Sequence, residues 1–429
     1  MTSTKSKHPF IGDLSEEEIR EYVQERSTMT NSHKNKDEFG EVFTPLELID
    51  EILDNIPGHV WKNPDARWLD PAAGMGNFPA IVYCRLMKSL EYKIPHVQER
   101  KTHILSKMLF LVELNSVNVR HIRKLFGSTN QNIKHGDFLD PSTELAGSFD
   151  VILGNPPFQM SKKGGKYKGS VGNRTLWNKF IEKALTSPLL KANAGILAFL
   201  TPANWRRPEA PLYPLMTREN TLLFLHIYGK SAGLDKFGIQ SRFDTYVIQK
   251  GQGSKKTPTI IDEKGIKHTN IDPRKWPFLP NFAFDKIKKI LVPISIHDKD
   301  KGIPILFSAS RYDARKLSHR KTSKYHYPVV HNITRRGLGI RYAQDKNPEK
   351  VGKVLLNFNE RQYPYNDYLG QYGMSQLTFG IPIKSKKEGE DWIRTIDSPE
   401  FKEILEATKW GAFQTDYRMW RYFDQDLHK

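Results

Sequence analysis

The sequence predicts an α/β chain: a mostly parallel sheet covered by helices on both faces, followed by a second unit of mixed α+β character. Three observations lead to that class. Short apolar runs alternate with helical stretches between Trp68 and Leu200, the pattern of a parallel sheet. Each run ends in a glycine or an acid, as strands do where loops turn over the carboxyl edge of such a sheet. After Lys250 the alternation stops and Tyr, Arg, Lys and His take over.

The elements follow in order. Ser15 before Glu16, Glu17 and Glu18 predicts a helix start, with a capping hydroxyl and acids facing the positive helix end. Pro45, Leu48, Ile49, Ile52 and Leu53 recur at helical spacing, with Pro45 suited to the first turn. Trp68-Leu69 leads into Asp70, the turn Gly74-Met75-Gly76 and a helix through Met87. Met108 to Val112 ends in Glu113 and a helix through Phe126, and Ile133 to Gly136 reaches Asp137-Phe138. Asp150 to Gly154 runs into Asn155-Pro156-Pro157-Phe158, and a helix around Leu176 to Leu185 precedes Gly195 to Leu200. Leu222 to Tyr228 and Thr245 to Gln249 could close the sheet with a hairpin. The predicted organisation is a polar extension over 1–37, the sheet domain over 38–250, a linker over 251–284 and a second domain over 285–429.

Bulk properties narrow the function. The 429 residues carry 66 Lys plus Arg against 48 Asp plus Glu, a net charge of +18. That surplus favours a polyanionic partner, nucleic acid first; a basic surface kept for solubility is the competing reading. No apolar run approaches the length of a bilayer span, and the first residues lack the apolar stretch of a signal peptide, so no membrane partner is expected. The single cysteine, Cys84, excludes an intrachain disulfide and a multi-cysteine zinc site and points to a reducing, cytoplasmic setting. His319, His326 and His331 have no metal-ligand spacing, so no metal is expected.

The chemistry concentrates at four strand ends. Asp70 followed by Gly74 and Gly76 lets the backbone pass close to a bound nucleoside. Glu113 ends the next strand, where a carboxylate can accept both ribose hydroxyls. Asp137 can take an adenine amino group while Phe138 stacks on the base. Together these acids read as one adenosine-holding crevice. Asn155-Pro156-Pro157-Phe158 decides the reaction. An exocyclic aromatic amine is a poor nucleophile because its lone pair is delocalised into the ring. The Asn155 side-chain oxygen and the Pro156 carbonyl can accept its two hydrogens, with both prolines fixing the direction. The lone pair then aims at a sulfonium methyl, and Phe158 can stack on the target ring.

With these motifs the sequence resembles the gamma-class amino-methyltransferases of DNA, including the Type II adenine-specific enzymes, over roughly residues 38 to 250. The resemblance implies a Rossmann-like S-adenosylmethionine-dependent catalytic domain acting on N6 of a flipped-out adenine. It matches Glu41-Val42-Phe43-Thr44-Pro45 to the family's first segment and implies that Phe43 and Thr44 lie near the methionine part of the cofactor. Asp70, Gly74 and Gly76 match the cofactor turn, Glu113 the ribose acid, Asp137-Phe138 the adenine contacts, and Asn155 to Phe158 the catalytic Asn-Pro-Pro-Tyr/Phe. Phe237, or secondly Phe243, falls in the segment whose aromatic stacks on the other face of the target base; either could equally serve the core.

The resemblance also implies a target recognition domain in the second half, double-stranded DNA as the partner, and a restriction-modification setting with an endonuclease encoded separately. The residues support the DNA partner. Arg311 to Tyr342 holds nine Lys or Arg and one acid, interleaved with tyrosines, a mixture suited to phosphate and base contacts. Arg311, Arg315, Arg335 and Arg336 are the expected phosphate-binding residues, against the alternative of a solvated basic face. Ser161 to Arg174 holds five basic residues, four glycines and no acid, and Lys162, Lys163 and Lys166 there could clamp the DNA.

Competing readings share parts of this pattern. A protein-glutamine methyltransferase also uses Asn-Pro-Pro-aromatic, but usually places a small domain before the catalytic one. An RNA adenine-N6 enzyme has the same charge, and N4-cytosine enzymes more often carry Ser in place of Asn155. An inactive DNA-binding subunit would not need an intact Asp70, Glu113 and Asn155 to Phe158. Asp262-Glu263-Lys264 lacks the spaced strand acids of a metal nuclease, so methylation without cleavage is expected.

Overall fold

A computed structural model describes residues 10–28, 43–127, 130–159, 175–252, 256–292, 301–307, 316–346, 350–358, 362–411 and 415–429. The chain forms two compact units: residues up to 202 together with 211–272, and residues 203–210 together with 273–429.

The first unit is built on strands β1 (Trp68–Asp70), β2 (Leu109–Glu113), β3 (Ile133–His135), β4 (Val151–Gly154), β5 (Ile196–Pro202), β6 (Thr221–Tyr228), β7 (Phe243–Gln249), β8 (Thr259–Ile261) and β9 (Lys267–His268). Their order in the sheet is β3-β2-β1-β4-β5-β7-β6-β8-β9. Strands β1 to β5 are parallel neighbours, and β7 runs antiparallel to both β5 and β6. The expected closing hairpin is thus β6–β7, with β7 inserted beside β5. All residues of β1 and β4 are buried, because helices cover both faces; this is why these strands read as unbroken apolar runs.

The helices form where the apolar spacing put them. α1 (Glu16–Thr28) begins at Ser15, whose hydroxyl accepts from the Glu18 N–H at 3.2 Å while Glu18 accepts from the Ser15 N–H at 3.0 Å, a reciprocal capping box. α2 (Leu46–Asp54) buries Leu48, Ile49, Ile52 and Leu53, with Pro45 just ahead of the first turn. α3 (Asn77–Ser89), α4 (Ser116–Phe126) and α5 (Trp177–Thr186) follow β1, β2 and β4. α6 (Lys230–Phe237) joins β6 to β7. A partly buried polar knot fixes α2 to the sheet: one Glu51 oxygen accepts from His226 and the Thr245 hydroxyl, each at 2.9 Å, and the other from the Tyr228 hydroxyl.

Residues 251–284 do not form one linker. Thr259–Ile261 adds β8 beside β6, and Asp262 turns the chain into β9 by accepting from the Lys264 and Ile266 N–H groups at 2.9 Å. The first unit runs on past Lys250 and ends at Asp272.

The second unit is mixed α+β. β10 (Tyr327–Thr334) and β11 (Gly337–Ala343) form an antiparallel hairpin that β14 (Gly373–Met374) joins, while β12 (Lys353–Asn357) lies between β13 (Tyr365–Asp367) and β15 (Thr378–Pro382). Helices α7 (Lys386–Asp397) and α8 (Pro399–Ala407) follow. Trp392 and Trp420 are buried. Residues 203–210 enter this unit through Arg206, fully buried, which donates to the carbonyls of Leu279 and Pro280 at 3.0 and 3.1 Å and to Asn281 at 2.9 Å.

Candidate active site

Strand order reverses between β1 and β4, which opens a crevice at their carboxyl ends. The backbone turn after β1 depends on glycine. Gly74 and Gly76 have φ of +55° and +86°, values that L side chains rarely adopt. A Cβ on Gly76 would also lie 2.8 Å from the Phe126 ring. Space above Gly74 is open to at least 4 Å.

Glu113 fastens this turn. One carboxylate oxygen accepts from the Gly74 N–H at 2.8 Å, and the other from the Asn115 N–H at 2.7 Å. The Glu113 carbonyl accepts from the Gly136 N–H at 3.0 Å, so β3 is drawn to the same point. Asp70 accepts from the Ala72 N–H at 3.0 Å and is almost fully buried. Burial pushes its pKa up to about 8, the nearby Glu113 adds to the rise, and the Ala72 N–H opposes it. Gly154, last in β4, has φ +141°, and a Cβ there would sit 2.8 Å from the Asp70 Oδ1. The ends of β1 and β4 therefore touch through a group that has no side chain.

Asn155 emerges directly from this contact. Its side-chain amide donates to the hydroxyl of the buried Thr44 at 3.1 Å. The Asn155 to Phe158 tetrapeptide and the Phe43-Thr44-Pro45 segment are thus joined by a hydrogen bond across 111 residues of sequence. Phe158 is half-buried against the core of the first unit, and its carbonyl accepts from the Leu176 N–H at 3.2 Å.

The remaining expected residues divide. Asp137 is exposed, one residue past Gly136, and accepts from the Leu139 N–H at 2.9 Å. Phe138 is 1 % exposed. Phe180 stacks on it at 5.1 Å and the Lys183 ammonium lies 4.8 Å from its ring centre, so here it anchors the Asp137 loop in the core. Phe243 is likewise a core residue, buried and stacked on Tyr228 at 4.6 Å. Phe237 is only partly buried, edge-on to Phe243 at 5.0 Å at the end of α6. Arg335 and Arg336 are exposed at the tip of the β10–β11 hairpin. Lys162, Lys163, Lys166, Arg311 and Arg315 lie outside the described residues, as do Glu41 and Val42.

Sequence reasoning passed over Asn77. It opens α3 directly after Gly76 and is 7 % exposed, and both its side-chain oxygen and nitrogen lack hydrogen-bond partners among the described residues. Burying an amide in that state is costly, which marks the turn as built to meet a polar ligand. Its place one residue beyond the glycine turn was the available signal. Among the described residues, no cluster of His, Cys, Asp or Glu could hold a metal ion, and no helix is long and apolar enough to cross a membrane.

Residues 85–232 match the family model described as Eco57I restriction-modification methylase. Over that segment, the chain is similar to the methylase domain that this family describes. The matched segment contains Glu113, Asp137 and Asn155 to Phe158, with Asp70 and the glycine turn just ahead of it. An uncharacterized adenine-specific methylase of Mycoplasma pneumoniae is 25 % identical, with 38 % of this chain and 55 % of that protein covered. Modification methylase CviBIII of Paramecium bursaria Chlorella virus NC1A is 27 % identical, covering 41 % of this chain and 40 % of that one. The chain thus spans about half, or less, of the length of these relatives. Among solved structures, the Type IIL restriction-modification enzyme MmeI in complex with DNA aligns with a TM-score of 0.54 at 13 % identity, over 88 % of this chain and 66 % of that one; at that identity the likeness is one of fold.

Proposed function

We propose that this protein is a site-specific DNA methyltransferase that transfers a methyl group from S-adenosylmethionine to N6 of a flipped-out adenine. The observation that carries the reading is Asn155-Pro156-Pro157-Phe158 leaving β4 at the switch point, tied to Thr44 and beside the Asp70–Glu113 crevice. The family match and the adenine-specific methylase among the relatives support the same reaction.

The crevice fits the cofactor. The left-handed turn at Gly74 and Gly76 gives close backbone approach, Glu113 holds that turn where the ribose would lie, Asn77 offers an uncommitted buried amide, and Asp137 stands at the rim for an adenine amino group. Phe43 and Thr44 complete the methionine side in this reading. When bound, S-adenosylmethionine supplies an electrophilic methyl on a sulfonium. The protein's part is to prepare the nucleophile. Asn155 and the Pro156 carbonyl accept the two amine hydrogens, the amine nitrogen pyramidalises, and its lone pair is freed from the ring. Holding the Asn155 amide nitrogen on Thr44 turns its oxygen away from Thr44, the orientation an acceptor role requires. Phe158 and Phe237 hold the ring by its faces.

Double-stranded DNA is the proposed partner, in a restriction-modification setting with a separately encoded endonuclease. The test is direct: double-stranded DNA is incubated with the protein and radiolabelled cofactor, and the modified positions are sequenced. N6-methyladenine at one sequence context is expected. Label confined to RNA or to a protein glutamine would overturn the reading.

A further inference from the structure

The second unit contains a cleft of about 600 Å³ that none of the chemistry above uses. Phe307, Phe358, Trp410 and Tyr417 give it an aromatic lining. Phe307 lies 4.4 Å from Tyr417 and 5.2 Å from Phe358, centre to centre, so the rings brace one another as a continuous floor. Each of the three is only partly buried, which leaves ring surface uncovered.

The polar groups around this floor are uncommitted. Asn204, Arg207 and Gln376 line the cleft, are exposed, and make no side-chain hydrogen bond or ion pair among the described residues. Arg418 differs: it forms two hydrogen bonds with Asp416, so that charge is already neutralised. Thr415 also lines the cleft, is 2 % exposed, and its hydroxyl has no hydrogen-bond partner among the described residues. A buried hydroxyl left unsatisfied in the free protein costs stability and points to a ligand that completes it.

We propose that this cleft is a nucleotide-binding site belonging to the second unit itself, with a base against the aromatic floor and a phosphate at Arg207. Aromatic surface with a free guanidinium and amides is the chemistry that recognises an unstacked nucleotide: π-faces take any base, amides and hydroxyls meet its edges, and the cation meets the phosphate. A net charge of +18 favours the same class of ligand over a cation or neutral peptide. The nucleotide comes either from a single strand of nucleic acid or from the free pool. The inference is independent of the methylation reading, since it uses no residue of the crevice.

The experiment uses the full chain and a fluorescently labelled single-stranded oligothymidylate, thymine being no substrate for adenine methylation. Binding is followed by anisotropy in wild type, Arg207→Gln and Thr415→Val. Each substitution is expected to weaken binding roughly tenfold. Thr415→Val removes an unsatisfied hydroxyl at constant shape, so its melting temperature should hold or rise, which separates ligand recognition from misfolding. Displacement of the strand by thymidine 5′-monophosphate supports the site and assigns it to free nucleotides; failure of displacement, with the strand still lost in both variants, assigns it to a strand. Oligothymidylate carrying 5-iododeoxyuridine should photocrosslink to peptides containing Phe307, Phe358 or Tyr417. Unchanged affinity in both variants, or crosslinks confined to other peptides, overturns the proposal.

Discussion

At the residue scale, the fold sets the state of two side chains that the proposed reaction uses. Asn155 spends its amide nitrogen on Thr44 at 3.1 Å, which fixes where its oxygen can act. Asn155→Ala removes one of two acceptors for the target amine, and the transfer rate should fall on the order of a hundredfold or more with cofactor affinity nearly intact. Single-turnover kinetics beside calorimetry checks this, and wild-type turnover would sink the mechanism. Asp70 is the second. Its carboxyl is buried and its pKa is raised from 3.8 to about 8, so the folded state holds a proton that the unfolded chain releases. The resulting stability is complete below about pH 4, declines as the pH rises, and is gone above about pH 8. Asp70→Asn keeps an acceptor for the Ala72 N–H and cannot ionise. Its melting temperature should therefore gain on wild type steadily between about pH 5.5 and pH 8.5. A constant difference across that range would show that Asp70 is ionised throughout.

At the scale of elements, the site exists because four strand ends meet without crowding, and Gly154 is the narrowest point. Gly154→Ala forces φ +141° on a residue with a side chain and places its Cβ 2.8 Å from Asp70. Stability should drop by about 1–3 kcal/mol from the backbone alone, and the displaced Asn155 should lower turnover further; a denaturant series with a transfer assay reads both. The strands themselves were legible in the sequence. β1, β2, β4 and β5 are apolar runs because neighbours cover both faces, and Asp70, Glu113 and Asn155 each stand at or just past a run's end. What could not be read depends on partners far along the chain. Glu51 looks like the polar face of α2, yet its partners are His226, Tyr228 and Thr245, more than 170 residues away. β8 is a three-residue strand, too short to announce itself. Phe138 and Phe243 carry the same ring whether they face a ligand or the core, and the sequence could not say that Phe180 and Tyr228 would cover them.

At the scale of the molecule, chemistry is proposed for the first unit and recognition for the second, but the chain does not divide at one point. Residues 203–210 leave the end of β5 and belong to the second unit, where Arg206 is buried among acceptors at 279–281. A fragment ending at Lys250 would lose β8 and β9, and one ending at Asp272 would strand Arg206 without its acceptors. Recognition is therefore better tested in the whole chain, at the β10–β11 hairpin. Thr334 pairs with Gly337 there, so Arg335 and Arg336 form the two-residue tip, both exposed. A two-stranded ribbon fits the major groove, and arginines at its tip can meet phosphates or guanine edges. Replacing both by Gln should weaken DNA binding and reduce the slope of log affinity against log salt by about one to two, as fewer counterions are released. If one of them reads a guanine instead, sequencing of methylated sites should show selectivity relaxed at one position while the salt slope scarcely moves. Affinity, salt slope and site selectivity all unchanged would mean that the hairpin does not touch DNA and that recognition resides elsewhere in the second unit.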